Sequence, residues 1–111
     1  MTINDVQKIL NATVVTQSTY ENNSVQSGFV GDLLSVVMGK AKEQCAWITI
    51  QGHINIIAVG TLINVACIIV TEDFKVDEDA ISKANEEGIV IMTTHLSSYE
   101  SAALLSKNGL E

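Results

Sequence analysis

One stretch, Cys45 to Thr71, limits the possible folds more than any other part of this sequence. Ile48 and Ile50 lie in a short run of β-branched residues, and Val65–Val70 is almost entirely apolar. Between these runs, apolar side chains recur at helical spacing over residues 54–62. A strand that is apolar on both faces belongs inside a parallel sheet covered by helices. The stretch therefore predicts a strand–helix–strand unit of an α/β protein.

Similar patterns continue on both sides of this unit. They predict helices from residue 3 to about residue 11 and at 33–38, 78–87 and 98–107, strands at 13–16, 28–30 and 89–92, and a loop or frayed edge hairpin at 17–27. We expect Asp32 to cap the helix that follows it, and Thr2 with Asp5 and Ser97 with Glu100 to form capping boxes. This order of elements predicts one domain over residues 1–111, built on a mainly parallel sheet.

Composition and charge exclude several classes of protein. The chain has 111 residues, of which 47% are hydrophobic and 17% charged, so it can form the core of one globular domain. A net charge of −7 with six basic residues argues against binding to nucleic acid. Residues 1–20 lack the pattern of a signal peptide, and no apolar run reaches the roughly 20 residues that span a bilayer. We expect a cytoplasmic protein that binds no membrane, with Cys45 and Cys67 as buried free thiols.

Polar side chains follow each predicted strand, where ligands of open parallel sheets bind. Both histidines of the chain, His53 and His95, are among them, and each precedes a helix. The candidate ligand-binding residues are Asp32, Gln51, Gly52, His53, Asn55, Thr71, Glu72, Asp73, Thr93, Thr94, His95 and Ser97. We expect the two histidines to lie close together, and His53→Ala to weaken ligand binding. The alternative is that these residues are the caps and turns that strand-to-helix loops need in any fold.

Signatures of catalysis are missing from the sequence. Gly39-Lys40 resembles the end of a phosphate-binding loop, but Ala41 stands where that loop needs Ser or Thr. Neither Gly-x-Gly-x-x-Gly nor Gly-x-Ser-x-Gly occurs. A metal site formed by His53 and His95 with a neighbouring carboxylate has no supporting ligand spacing. We therefore predict no catalytic residue, no metal and no cofactor.

Several of these segments together resemble the DRTGG domain, and more narrowly the stand-alone DRTGG proteins related to HPr serine kinase. They are residues 31–38, 47–60, 66–71, 87–91 and 94–97, and the resemblance is strongest over residues 28–111. It implies an α/β/α layered fold like the N-terminal, non-catalytic domain of HPr kinase, and a regulatory or dimerising role. The pattern that names the family differs here, because its Gly-Asp-Arg is Gly52-His53-Ile54 and its Thr-Gly-Gly is Thr71-Glu72-Asp73.

The resemblance and the polar edge together predict a regulatory, ligand-sensing domain. Its ligand is expected to be nucleotide-like or another anionic small molecule, or else a partner protein. A homodimer is expected because apolar residues from Ile54 to Val65 surround most of the central helix, which a helix buried on one side does not need. Two alternatives remain open: a small enzyme that uses the edge bearing His53 and His95, and a purely structural assembly module.

Overall fold

The computed structural model describes residues 1–17 and 23–111. The elements follow the predicted order: α1 (Ile3–Leu10), β1 (Thr13–Val14), β2 (Ser27–Val30), α2 (Leu34–Lys40), β3 (Cys45–Thr49), α3 (Asn55–Ile63), β4 (Cys67–Val70), α4 (Glu78–Glu87), β5 (Ile91–Thr93) and α5 (Ser98–Lys107). The predicted α/β class is confirmed. Residues 18–22 of the predicted loop or hairpin lie outside the described residues; nearby, Ser24 forms a β-bridge with Thr2.

In the described part of the chain the sheet contains five strands, in the order β1-β5-β4-β3-β2. Strands β2 to β5 are parallel and lie side by side in sequence order, whereas β1 is antiparallel to β5 and pairs Thr13 with Thr93. The predicted mainly parallel sheet is therefore confirmed. Because β2 to β5 run the same way, the loops that follow them all meet at one edge of the sheet, which we call the carboxyl edge.

Side chains of the strands alternate between two apolar cores. The first core lies between the sheet and helices α1 and α5, and includes Ile3, Leu10, Ile48, Ile69, Met92 and Leu105. The second lies under α2, α3 and α4, and includes Trp47, Ile56, Ile57, Ile68, Val70 and Ile91. The molecule thus has three layers, α/β/α, as the resemblance implied. Burial on both faces explains why the strands carry continuous apolar runs.

Helix α3 is the middle helix of its layer and packs against both α2 and α4. Ile56, Ile57 and Val59 are buried, and Ile63 is partly buried in the same core. Leu62, by contrast, is 70% exposed. Most of the apolar circumference of α3 is therefore used inside the chain, and the homodimer stays a prediction. No helix in the described part of the chain is long and apolar enough to cross a membrane.

Both predicted capping boxes are present. The Thr2 and Ser97 hydroxyls accept hydrogen bonds from the Asp5 and Glu100 N–H groups, and each carboxylate accepts from the backbone of its capping residue. These bonds lower the pKa of Asp5 and of Glu100. The predicted cap at Asp32 is wrong, because Leu33 occupies the N-cap position of α2. The Asp32 carboxylate instead accepts hydrogen bonds from β3 and the residue after it, as described below.

The cysteines begin neighbouring strands, and the prediction of buried free thiols is confirmed. Cys45 opens β3, Cys67 opens β4, and both are completely buried. Burial raises the pKa of Cys67 to about 12 and also raises that of Cys45. Both thiols stay protonated at neutral pH, and a protonated thiol is a poor nucleophile.

Candidate functional site

The carboxyl edge begins with a hydrogen-bonded group over β2 and β3. Asp32 Oδ1 accepts from the Thr49 hydroxyl at 2.8 Å and from the Ile50 N–H at 2.9 Å. The Gln51 side-chain amide donates to the Asp32 carbonyl oxygen. Two of the predicted ligand-binding residues, Asp32 and Gln51, are therefore brought together, and they join the loop after β2 to the end of β3.

Gly52 lies where two loops of the carboxyl edge touch through their backbones. A Cβ atom at this position would overlap the Lys75 carbonyl oxygen. The Gly52 carbonyl also accepts a hydrogen bond from the Asp77 N–H at 2.9 Å. The position thus requires glycine for packing, which explains this predicted site residue without any ligand.

Glu72 and Asp73 have left-handed backbones, with φ values of 63° and 60°. Their N–H groups donate to the Leu96 carbonyl at 2.8 Å and to the Thr94 carbonyl at 3.2 Å. Left-handed φ values favour glycine, which is what the family pattern has at both positions. Since both N–H groups have partners within the chain, this turn does not offer them to an anion.

Other predicted site residues also bond within the chain. Thr71 is buried and shares a hydrogen bond of 2.7 Å with the Ser98 hydroxyl. The Thr94 hydroxyl donates to the Leu10 carbonyl at 3.2 Å, which joins the loop after β5 to the end of α1. Ser97 belongs to the capping box of α5. These contacts hold the edge together and leave little hydrogen-bonding capacity for a ligand.

His53 forms a local turn at the start of α3. Its Nδ1 accepts a hydrogen bond from the Asn55 N–H at 3.2 Å, which assigns the ring proton to the other nitrogen. Both side chains are exposed. The two predicted site residues are therefore neighbours on the surface, next to the contact between Gly52 and the loop after β4.

A cavity of about 520 Å³ opens at the other end of the carboxyl edge, between β1, β5 and the start of α4. Its polar lining consists of Asn11, Thr13, Asp73, Lys75, Thr93, Thr94 and His95, and its apolar lining of Val15, Phe74, Val76 and Ile81. Among the predicted candidates, the described lining includes Asp73, Thr93, Thr94 and His95 but not His53. That His53 and His95 lie close together in one ligand site stays a prediction.

Sequence reasoning missed several residues of this cavity. Asn11 and Thr13 come from the first helix and strand, and they reach it because β1 pairs with β5 at the register Thr13 to Thr93. Lys75 and Phe74 follow the left-handed turn after β4. The local signal for Phe74 and Lys75 was a lysine next to an aromatic residue after a buried strand. Asn11 and Thr13 had no such signal, because the pairing of β1 with β5 leaves no local pattern in the sequence.

The cavity combines charged, polar and aromatic groups. Lys75 supplies an ammonium, His95 an imidazole that can donate or accept, and Asp73 a carboxylate. Phe74 is 50% exposed and offers an aromatic surface. Such a lining can hold a ligand that combines an anionic group with a planar apolar group. Residues 1–17 and 23–111 contain no group of three His, Cys, Asp or Glu side chains placed to hold a metal ion.

Comparison with known proteins gives a family and a protein of similar fold. The sequence matches the family model of the DRTGG domain over residues 5–108. No curated protein matches the chain. The fold resembles the CBS and DRTGG domains of the regulatory region of Clostridium perfringens pyrophosphatase, complexed with the activator diadenosine tetraphosphate, with a TM-score of 0.74 and 16% identity over 94% of this chain. The chain spans 45% of that structure, and at this identity the likeness shows the fold alone.

Proposed function

Because the chain belongs to the DRTGG domain family, we propose that it is a non-catalytic regulatory domain that binds a nucleotide-like anionic ligand and forms a homodimer. The observation that carries the ligand proposal is the cavity beside β5, which has the size of a small-molecule site. The pyrophosphatase region that shares the fold was solved with a nucleotide activator, which makes nucleotides the first ligands to test.

The lining suits the two parts of a nucleotide. The Lys75 ammonium and the His95 imidazole can both donate hydrogen bonds to phosphate oxygens. The half-exposed Phe74 ring offers a surface on which a base can stack. The Asp73 carboxylate repels phosphate and can instead accept hydrogen bonds from sugar hydroxyls or a base amino group. The proposed contacts of the phosphate are therefore Lys75 and His95.

Four of the predicted site residues fall in this proposal: Asp73, Thr93, Thr94 and His95. The Thr94 hydroxyl is bonded to Leu10 and accepts from the Leu96 N–H, so we assign it to holding the cavity wall rather than to the ligand. The direct contacts are then assigned to Asp73, Thr93 and His95, with Asn11, Thr13 and Lys75 completing the polar side.

Calorimetric titration of the full chain with ADP and with diadenosine tetraphosphate tests the proposal. We expect binding, and a dissociation constant about tenfold higher for His95→Ala, the loss of about one hydrogen bond to a charged group. His53→Ala, which the sequence alone predicts to weaken binding, is the matched control for this cavity. Because His53 lies outside the described lining, the variant should bind as the unaltered chain does. A thermal shift gives an independent readout, since a ligand at 100 times its dissociation constant adds about 2.7 kcal/mol.

Three results would contradict the proposal. Absence of binding by both nucleotides would remove the ligand-sensing role and favour a structural module. Equal weakening by His53→Ala and His95→Ala would favour the joint histidine site. Conversion of ADP to products during the titration, abolished by either variant, would favour the small enzyme.

A further inference from the structure

Strand β2 is one of the two edge strands of the sheet, β1 being the other. Among the residues that the structure describes, β2 pairs with β3 alone. The Gly31 N–H donates to the Ile48 carbonyl, so by alternation the main-chain groups of Gly28 and Val30 point away from β3. Natural edge strands are protected by charged side chains, proline or bulges. The sequence from Ser27 to Gly31 contains neither charge nor proline.

A groove of about 210 Å³ runs beside this edge on the α5 side of the sheet. Gly28 and Ile48 line it from the sheet, and Leu105, Leu110 and the charged Glu111 line it from the other side. Gly28 leaves an opening there, since an added Cβ would meet only the Leu110 side chain, at 3.7 Å. Val30 follows Gly28 by two residues, lies on the same face of the sheet and is 49% exposed.

The opposite face of the edge is also apolar. Three apolar residues at the start of α2 or within it are exposed: Leu33, Val36 and Met38. Leu33 is 65% exposed. A strand paired with β2 would have side chains on both faces of the sheet. Its side chains would therefore cover the Gly28 groove on one face and approach these α2 residues on the other.

We propose that β2 pairs in antiparallel orientation with β2 of a second copy of this chain. With Phe29 on the two-fold axis, Gly28 lies opposite Val30 of the second copy. The two residues then exchange main-chain hydrogen bonds, and Val30 of each copy enters the opening at Gly28 of the other. The edge is thus self-complementary, as a two-fold interface requires.

The self-complementarity of the edge favours a second copy over an unrelated partner, and the low local charge of β2 permits one. Each chain carries a net charge of −7, so two copies repel each other over most of their surfaces. Residues 23–39 contain one charged side chain, Asp32, and its carboxylate is bonded to Thr49 and Ile50. Glu111 is the charged residue that lines the groove, and the rest of the β2 edge is a weakly charged surface on which two acidic chains can approach. This inference rests on the proposed homodimer but not on the ligand, because the cavity lies beside β1 and β5 at the other end of the sheet.

Sedimentation velocity of the full chain at tens of micromolar tests the interface. We expect a dimer whose dissociation constant rises by about 100-fold or more in Val30→Lys, because a two-fold interface buries the added ammonium twice. In Gly28→Val the Cβ atom makes an ordinary contact with Leu110 at 3.7 Å and the side chain occupies the opening, so this variant should also dissociate the dimer. Leu62→Lys is the control, since it changes an exposed apolar residue of α3 and should remain dimeric. Circular dichroism verifies that each variant is folded.

Each result decides a separate point. Loss of the dimer in Val30→Lys and Gly28→Val, but not in Leu62→Lys, supports pairing through β2. A dimer that persists in both β2 variants overturns this inference and leaves the proposed homodimer standing with another interface. A dimer lost in Leu62→Lys alone assigns the interface to α3 and also overturns it. A monomeric unaltered chain overturns both the inference and the homodimer, while nucleotide binding is decided by its own titration.

Discussion

The two ends of the carboxyl edge carry similar residues and use them differently. Over β2 and β3, Asp32 and Gln51 are hydrogen-bonded to the neighbouring strand or loop, and Gly52 is pressed against the backbone at Lys75. Beside β5 and β1, side chains such as His95 line a cavity instead. Polar residues that follow parallel strands therefore either stabilise the fold or line a cavity. The residues that stabilise the fold are recognised by their hydrogen bonds within the chain. The first end should respond to mutation through stability, and the second through ligand binding.

The largest effect is expected at Gly52. In Gly52→Ala the new methyl group would overlap the Lys75 carbonyl oxygen, so the two loops must separate. We expect the free energy of unfolding to fall by about 3 kcal/mol or more, measured by urea denaturation. Gly39→Ala is the control, because a Cβ atom at that helical position meets nothing within 4 Å and should leave stability unchanged or raise it. Equal stability of the two variants would contradict the packing argument.

An intermediate effect is expected at Asp32. Asp32→Ala removes the acceptor of the buried Thr49 hydroxyl and of the Ile50 N–H. The loss should be about 1–2 kcal/mol, because a buried donor is left without its partner. Asp79→Ala, at an exposed carboxylate in the first turn of α4, should cost about 0.5 kcal/mol. Unfolding curves that rank these two variants the other way would show that Asp32 is not a structural residue.

A smaller effect of opposite sign is expected at Glu72. Its φ of 63° strains a residue with a Cβ atom by about 1–2 kcal/mol, and glycine would relieve this strain at a cost in chain entropy of about 0.5–1 kcal/mol. Glu72→Gly should therefore raise stability by up to about 1 kcal/mol. Glu86→Gly, in the exposed part of α4, should lower it by about 1 kcal/mol. If both substitutions destabilise equally, the left-handed turn carries no strain.

The smallest effect on stability is expected in the cavity. Lys75 is exposed, so Lys75→Ala should change the free energy of unfolding by no more than about 0.5 kcal/mol. The same variant should weaken binding of ADP, because it removes the ammonium from the cavity. A Lys75→Ala protein that is markedly less stable would place this residue with Asp32 and Gly52, and would erase the contrast between the two ends.

The sequence predicted the fold better than the site, for physical reasons. Apolar periodicity is local, so the final helix, Ser98–Lys107, has the predicted bounds. The role of Asp32 depends on the approach of Thr49, 17 residues away, and helix-capping rules do not include such a contact. Gly52 was predicted to face a ligand, whereas its close neighbour is the backbone at Lys75. The local sequence pattern therefore predicts which side chains lie at the carboxyl edge of the sheet. Tertiary contacts decide which of these side chains remain free to bind a ligand.

Backbone amide NMR of the labelled chain during titration with ADP tests the central claim most directly. The account predicts chemical-shift changes concentrated at Thr13, Lys75, Thr93 and His95, the residues of the cavity beside β5. Amides near Asp32 should stay unchanged, because that group is bonded within the chain. Shifts concentrated around Asp32 and His53, with the cavity residues unmoved, would contradict it.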